Sequence, residues 1–154
     1  MNQATDTDTI WMRRALELAR HAGDNGEVPV GAVLVMDGDV VGEGWNRNIE
    51  LNDPSAHAEM LALREAGRRL ANHRLVHATL YVTLEPCPMC VGACIHARVA
   101  RVVFGASDPK TGALGGEFDL QAAGRHNHAF EVLGGVLADE CAEVLKAFFR
   151  ARRV

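Results

Sequence analysis

The stretch that decides the fold is HAEMLALREAGRRLANHRLVHATLYVTLEPCPMC, residues 57–90. Apolar side chains recur at helical spacing in its first half, which predicts a helix that begins near residues 53–55 and ends near Ala71. The apolar run of residues 78–84 predicts a strand. A helix from His57 to Ala71 rises roughly 22 Å, and the strand covers roughly 23 Å. The strand therefore returns the chain to the level of His57.

The rest of the chain alternates helical and strand patterns. Residues 7–9 offer N-caps for a first helix, and Asp37-Gly38 joins two short apolar runs into a hairpin. Residues 46–53 and 108–117 are predicted to be irregular. The alternation predicts an α/β protein, a three-layer α/β/α sandwich with a mixed sheet of about five strands. The other predicted elements are a helix at 88–96, strands within 99–106 and 131–133, and a last helix with the apolar stripe Cys141, Val144, Leu145, Phe148 and Phe149.

The composition is that of one folded domain. The chain has 154 residues, of which 48% are hydrophobic and 23% charged, as in ordinary globular proteins. We expect residues 1–154 to form a single domain, with residues 1–8 as a flexible leader. The formal net charge of -4 argues against a protein that coats nucleic acid, because such proteins are usually basic overall. Local basic clusters are compatible with this balance.

The start of the chain and its cysteines bear on the compartment. The first residues, MNQATDTDT, are polar and acidic and lack the basic and apolar segments of a secretory signal. No stretch is long and apolar enough to span a bilayer. The four cysteines could form two disulfides, but without an export signal free thiols or metal ligands are the expected use. We therefore expect a cytoplasmic protein with no membrane attachment.

Two short motifs at the ends of residues 57–90 carry candidate metal ligands. An HxE motif holds His57, and a PCxxC motif holds Cys87 and Cys90. Each motif alone is weak evidence, since CxxC also serves redox and structural roles. The helix and strand between them bring both motifs to one level, so one imidazole and two thiolates can hold a zinc ion, one per chain. Three protein ligands leave the fourth tetrahedral position for water, as in catalytic zinc sites.

Glu59 gives this site a candidate acid–base group. It lies two residues after His57, roughly 200° around a helix, so both side chains reach one site only if that site lies off the helix end. Two thiolates reduce the charge on zinc, so water there is acidified less than by three histidines, and a carboxylate can take and deliver the proton. A structural zinc site, or unrelated polar residues, is the alternative interpretation.

Together the two motifs form the H-x-E…P-C-x-x-C pattern shared by zinc-dependent nucleoside and base deaminases. The chain resembles the bacterial tRNA-specific adenosine deaminases nearly from end to end. The segments that narrow the resemblance to that family are EVPVGAV (27–33), GEGWN (42–46), DPSAHAE (53–59), LYVTLEPC (80–87), VVFGA (102–106), KTGA (110–113), NH (127–128) and LADEC (137–141).

The resemblance implies a cytidine-deaminase-like fold and a homodimer. It also implies hydrolytic deamination of adenosine to inosine at the wobble position of a tRNA anticodon loop, with an arginine tRNA as the expected partner. A duplex hides the target atom, so such enzymes read bases that are splayed out of a loop. The residue roles implied by position are zinc ligation by His57, Cys87 and Cys90, proton transfer by Glu59, contact with the flipped adenosine by Asn46, contact with a neighbouring nucleotide by Asp108, and base stacking by Phe149.

Several residues are open to a structural as well as a functional interpretation. Cys94 lies one turn beyond Cys90 and would close the catalytic position as a fourth ligand, but a small buried residue is the simpler expectation. Phe149 lies on the apolar stripe of the last helix, so burial competes with base stacking. His128 is as well suited to touch substrate as to make an ordinary hydrogen bond. Residues 116–125 depart from the family pattern.

The basic end of the chain and the overall activity also have alternatives. The last helix carries Lys146, Arg150, Arg152 and Arg153, which are either solvated cations at a helix C-terminus or contacts for RNA phosphates. A deaminase of free cytosine, guanine or a nucleoside would need the same metal chemistry. A non-catalytic RNA-binding or structural zinc module is a further alternative, but it gives Glu59 no role.

Overall fold

A computed structural model describes residues 3–152, which alternate between helices and strands. The elements are α1 (Asp6–Asp24), β1 (Gly31–Met36), β2 (Asp39–Trp45), α2 (Asn48–Leu51), α3 (Ala58–Leu70), β3 (Thr79–Leu84), α4 (Pro88–Ala97), β4 (Arg101–Ala106), β5 (Glu131–Leu133) and α5 (Ala138–Arg152). Within these residues no helix has the length and apolar character needed to cross a bilayer.

The strands form one mixed sheet in the order β2-β1-β3-β4-β5. β1 is antiparallel to both β2 and β3, whereas β4 runs parallel to β3 and to β5. Asp37 and Gly38 both have positive φ, 52° and 79°, which is the geometry of a tight two-residue turn between β1 and β2. The predicted hairpin and the predicted mixed sheet of five strands are therefore confirmed.

Helices cover both faces of the sheet because neighbouring strand residues face opposite ways. Leu34 and Val82 belong to the apolar cluster shared with α3 and α4, whereas Val33 and Tyr81 belong to the cluster shared with α1 and α5. The three-layer α/β/α sandwich is thus confirmed.

The first turn of α3 is held at the edge of the sheet where β3 ends. Gly44 of β2 lies against this turn, and a Cβ atom there would overlap the carbonyl oxygen of Ala58. Gly44 pairs with Ala32, which in turn pairs with Val82 near the end of β3. The start of α3 and the residues that follow β3 therefore lie at one level, as the helix and strand lengths predict.

The expectation of a flexible leader at residues 1–8 does not hold for residues 5–8. α1 begins at Asp6, and Thr5 and Asp8 form a reciprocal capping box that fixes the first turn. Asp8 is also buried, pairs with Arg101 at 2.8 Å and accepts a hydrogen bond from the Tyr81 hydroxyl. Residues 1 and 2 of the expected leader lie outside the described residues.

Two boundaries in residues 46–58 also differ from the predictions. α3 begins at Ala58 rather than near residue 53, because the Asp53 carboxylate accepts from both the amide and the hydroxyl of Ser55 and so forms a local turn. Residues 48–51 are helical rather than irregular. The Glu27 carboxylate accepts from two amides of this short helix, those of Ile49 and Glu50.

Candidate active site

The three predicted metal ligands lie at the first turns of two helices. His57 is the N-cap residue of α3 and Cys87 is the N-cap residue of α4, and neither side chain caps its own helix. Pro88 opens α4, where its missing N–H costs nothing, and Cys90 follows in the same turn. The free amides and the dipole of a helix N-terminus stabilise negative sulfur.

The donor atoms have the spacing of a tetrahedral zinc site. The His57 Nδ1 atom lies 3.6 Å from the Cys87 sulfur and 3.5 Å from the Cys90 sulfur, and the two sulfur atoms are 3.8 Å apart. Zinc bonds of about 2.3 Å to sulfur and about 2.05 Å to nitrogen, at tetrahedral angles, require about 3.6 Å between nitrogen and sulfur and about 3.8 Å between sulfurs. The three side chains therefore fit a zinc ion without rearrangement.

No fourth protein ligand joins this cluster among residues 3–152. Cys94 is fully buried with the apolar residues between the sheet and the helices α3 and α4, and burial raises the pKa of its thiol. It packs as an ordinary core residue. The donor set is therefore His₁Cys₂, with one tetrahedral position left for a non-protein ligand.

Hydrogen bonds among the two thiols and the imidazole shift the pKa values of all three groups. The bond between the two sulfurs lowers the pKa of Cys87 to about 4 and raises that of Cys90. The bond with Cys87 raises the pKa of His57. Thiolate is the form that binds metal, so Cys87 is ready for ligation near neutral pH.

Glu59 lies in the first turn of α3, beside the donor cluster. Its side chain is 4% exposed, and burial raises the pKa of its carboxyl group. Nearby His57 partly opposes this shift. A buried carboxyl group beside the donor cluster can both accept and donate a proton.

The donor cluster opens into a cavity of about 240 Å³. Drug-sized ligands occupy pockets of about 300–1,000 Å³, so this volume suits a single planar ring system. The lining residues are Val28, Val30, Asn46, Asn48, His57, Glu59, Leu84, Glu85, Cys87, Asp108 and Thr111.

Asn46 is fixed by its carbonyl oxygen, which accepts from the Ala58 amide at 2.8 Å. This bond also satisfies a free amide in the first turn of α3. Within residues 3–152 the Asn46 amide nitrogen has no hydrogen-bond partner, although the side chain lines the cavity. The orientation leaves Asn46 with a donor to offer to a ligand.

Asp108 also lines the cavity. Its carboxylate accepts from the amides of Lys110 and Thr111 and from the Thr111 hydroxyl, so it shapes a tight turn. These bonds hold the pKa of Asp108 low, against the effect of its partial burial.

Glu85 is a cavity residue for which the sequence analysis predicted no role. Its buried carboxylate accepts from the Asp108 amide and from three further donors in residues 107–116. The only signal in the sequence is its position immediately before Pro86-Cys87.

Phe149 does not lie in the core, since it is 45% exposed. It lines a second cavity, of about 650 Å³, together with Lys110 and cations of α5. The residues of this basic groove are Lys110, Leu145, Lys146, Phe149, Arg150 and Arg152. Arg153, which the sequence analysis grouped with these cations, lies outside the described residues.

Two other side chains have structural contacts. The His128 ring lies 2.6 Å from the Val99 carbonyl oxygen through Nε2 and does not line the first cavity. Cys141 is buried against Gly105, where a Cβ atom would overlap its sulfur. Neither residue belongs to the donor cluster.

Comparison with known proteins agrees with this geometry. Residues 5–106 match the family described as the cytidine and deoxycytidylate deaminase zinc-binding region. The tRNA-specific adenosine deaminase of Haemophilus influenzae is 53% identical over 150 residues, which cover 97% of this chain and 87% of the relative.

Solved structures show the same fold. A structure from a study of A-to-I editing by tRNA:A34 deaminases at the wobble position of transfer RNA is 47% identical, with a TM-score of 0.83 over 89% of this chain and 99% of that chain. A guanine deaminase from Nitrosomonas europaea is 27% identical, with a TM-score of 0.77 over 96% of this chain and 86% of that chain. The chain therefore belongs to the cytidine and deoxycytidylate deaminase zinc-binding family and, within it, to the tRNA-specific adenosine deaminases.

Proposed function

We propose that the chain deaminates adenosine at the wobble position of a tRNA anticodon loop. Water adds at C6 of the adenine ring, the exocyclic amino group leaves as ammonia, and inosine is the product. The observation that carries this proposal is the His57, Cys87 and Cys90 donor set with a buried glutamate, Glu59, on the same small cavity. The similarity to tRNA-specific adenosine deaminases supports the choice of substrate.

The proposed cofactor is one zinc ion per chain, held by the three donors. Their mutual distances support zinc, and the mixed nitrogen and sulfur set is typical of it. When bound, zinc supplies Lewis acidity that makes water nucleophilic at neutral pH. The helix starts supply the backbone positions of the donors, because His57 and Cys87 are the N-cap residues of α3 and α4.

Glu59 is the proposed proton shuttle. It takes one proton from the attacking water and gives it to N1 of the adenine ring, then takes the proton of the hydroxyl group formed at C6 and gives it to the departing amino group. Its burial excludes bulk solvent from these transfers. Its raised pKa suits both directions of transfer, since a strongly acidic carboxyl group would release a proton and not take it back.

Asn46 and Asp108 are the proposed contacts for the nucleotides in and beside the cavity. The amide nitrogen of Asn46 is available to donate to the flipped adenosine, because the carbonyl oxygen is held by α3. Asp108 lines the same cavity and belongs to the loop of residues 107–116. A neighbouring nucleotide is therefore the expected partner of Asp108.

The basic groove beside α5 is the proposed support for the rest of the anticodon stem-loop. Phe149 offers an exposed ring for base stacking, and Lys146 and Arg150 offer charges for phosphates. Lys110 belongs both to this groove and to the loop that carries Asp108. The groove and the first cavity are thus linked by one loop.

We also propose a homodimer, an arginine tRNA as substrate and a cytoplasmic location. A groove of about 460 Å³ between α3 and α4 is lined mainly by apolar residues and offers a face for a second copy. The mass in solution, measured by light scattering, tests the dimer. Comparison of different tRNAs that carry a wobble adenosine tests the substrate.

The deciding experiment is an inosine assay with purified zinc-loaded protein. The substrates are an anticodon stem-loop with a wobble adenosine, the same stem-loop with guanosine at that position, and free adenine, guanine and cytosine. Ammonia release is measured for every substrate, and we expect it from the first substrate only, with inosine as the product. Deamination of free guanine without activity on the RNA would instead assign the chain to the reaction named for the Nitrosomonas europaea structure.

A further inference from the structure

Glu85 follows β3 and immediately precedes Pro86-Cys87, yet it belongs neither to the donor cluster nor to the proton transfer assigned to Glu59. It is only 3% exposed. A carboxylate buried this deeply is unfavourable unless hydrogen-bond donors surround it. The partners of Glu85 therefore indicate its role.

Four donors from a single loop, residues 107–116, converge on this carboxylate. The Ser107 hydroxyl and the Asp108 amide donate to Oε1 at 3.2 and 3.0 Å. The amides of Leu114 and Gly116 donate to Oε2 at 2.9 and 2.8 Å. Three of the four donors are backbone amides, so the loop forms a nest around an internal anion.

Two glycines allow the loop to approach this closely. A Cβ atom at Gly116 would lie 2.6 Å from Oε1 of Glu85, and one at Gly112 would overlap the carboxylate. Both approaches are closer than a Cβ atom tolerates. The loop sequence and Glu85 are therefore matched to each other.

The same loop forms one wall of the cavity. Asp108 and Thr111 line that wall, and the Asp108 amide is one of the groups that Glu85 holds. Thr111 is tied to Asp108 by two hydrogen bonds. The positions of Asp108 and Thr111 thus depend on the Glu85 carboxylate.

We propose that Glu85 is a positioning residue that orders residues 107–116 and thereby sets the binding of the nucleotide next to the reacting adenosine. The identity of that nucleotide rests on the proposed function. The ordering of the loop does not, because it follows from contacts within the chain.

Glu85→Gln is the sharpest test, since it keeps the shape of the side chain. The glutamine amide group places an NH₂ where one carboxylate oxygen accepted two hydrogen bonds, so two loop donors face another donor. The Ala113 amide still donates to the Pro86 carbonyl at 2.8 Å, which keeps the loop attached to the end of β3. Local loosening is therefore expected rather than unfolding.

The matched control is Glu117→Gln, which makes the same change of charge on an exposed side chain of the neighbouring turn. Amide hydrogen exchange of the peptide that covers residues 107–116 is measured in both variants. We expect exchange to accelerate about tenfold or more in Glu85→Gln and to stay unchanged in Glu117→Gln. Equal protection of the loop in both variants would overturn the proposal.

Kinetics separate positioning from a general loss of structure. With the anticodon stem-loop, Glu85→Gln should raise KM about tenfold and leave kcat within about threefold, because the loss falls on binding. Zinc content should equal that of the parent protein. A fall in kcat with unchanged KM, or loss of zinc, would contradict a role confined to residues 107–116.

A second variant approaches the interaction from the loop side. In Gly116→Ala the added methyl group would overlap both the Asp108 carbonyl oxygen and the Glu85 carboxylate, so residues 107–116 must shift while β3 is untouched. Both readouts should therefore change in the same direction as in Glu85→Gln. Should Glu85→Gln fail to fold, Gly116→Ala alone decides, and normal loop protection and KM would reject the proposal.

Different measurements test the proposed function and the proposed role of Glu85. If the parent protein does not deaminate the stem-loop, the proposed function is wrong, and hydrogen exchange still tests the ordering of the loop. If the parent protein is active and the exchange of residues 107–116 is the same in all variants, only the role of Glu85 is wrong.

Discussion

At the scale of single residues, two of the three donor side chains occupy helix N-cap positions but make no capping hydrogen bond. N-cap side chains usually satisfy amides of their own helix. His57 and Cys87 hold N-cap positions without doing so, which frees their donor atoms to face each other. Another residue can then accept from a free amide of the helix, as the Asn46 side-chain oxygen accepts from the Ala58 amide. The proposed metal ligands thus come from the starts of two helices.

The assignment of Glu59 as a proton shuttle predicts a separation of binding from catalysis. Glu59→Gln should retain about one zinc ion per chain and lose deamination by about 10²–10⁴-fold, because the carboxylate transfers protons and does not bind the metal. Zinc is measured by atomic emission and turnover by inosine formation. Loss of zinc from this variant would make Glu59 a ligand, contrary to the donor geometry.

The two buried cysteines of α4 should behave oppositely. Cys90→Ala removes a ligand, so zinc content should fall from about one ion per chain to near zero, and activity with it. Cys94→Ala, one turn further along α4, removes a core thiol and should retain both zinc and most activity, at a modest cost in stability. Equal zinc loss in both variants would mean that Cys94 belongs to the metal site.

At the scale of elements, strong periodicity made most of the fold predictable. The strands and the long helices carry continuous apolar patterns. The nearly equal lengths of α3 and β3 bring His57, Cys87 and Cys90 together, as predicted. α2 was missed because it has four residues and depends on Glu27, more than twenty residues away in sequence. Glu85 was missed for the same reason, since its partners lie 22–31 residues further along the chain.

The start of α1 depends on a tertiary interaction that local sequence does not reveal. Asp8 caps the helix with Thr5 and pairs with Arg101 of β4, which lies 93 residues away. Its bond to Arg101 holds the pKa of Asp8 far below its usual range. A short polar segment is thereby anchored to the sheet.

This ion pair predicts how stability responds to acid. A depressed carboxyl pKa stabilises the fold above the unfolded pKa of about 3.9, and the stabilisation is lost as the pH falls below that value. Asp8→Asn should lower the free energy of unfolding at pH 7 by about 3 kcal/mol, because it leaves Arg101 partly buried and unpaired. The loss of stability between pH 5 and the acid limit, measured by urea unfolding, should be shallower in the variant.

The matched control is Asp6→Asn, an exposed aspartate in the same first turn of α1. Its contribution is confined to the helix dipole, about 0.3–1 kcal/mol. An acid profile of Asp8→Asn that parallels the parent protein would show that the ion pair with Arg101 does not set the pH response.

At the scale of the whole molecule, charge is distributed unevenly. The chain carries a formal net charge of -4, yet cations concentrate along the groove between α5 and Lys110. Glu143 offsets Arg150 at the edge of this groove, whereas Lys146 forms no ion pair within residues 3–152. Arg64 and Arg68 of α3 line another groove, but the groove with Lys110 shares a loop with Asp108, which lines the cavity. RNA should therefore bind at the basic groove beside α5, close to the cavity.

Salt dependence tests this arrangement. For single-stranded RNA, each phosphate that the protein no longer neutralises should reduce the slope of log affinity against log salt by about 0.7. Lys146→Ala should therefore weaken binding of a labelled anticodon stem-loop and flatten its salt dependence by about that amount, as measured by fluorescence anisotropy. Arg68→Ala, which removes an exposed cation near the far end of α3, is the control and should leave affinity and slope unchanged. If the two variants lose affinity equally, RNA binding follows the total charge of the chain, and the basic groove has no special role.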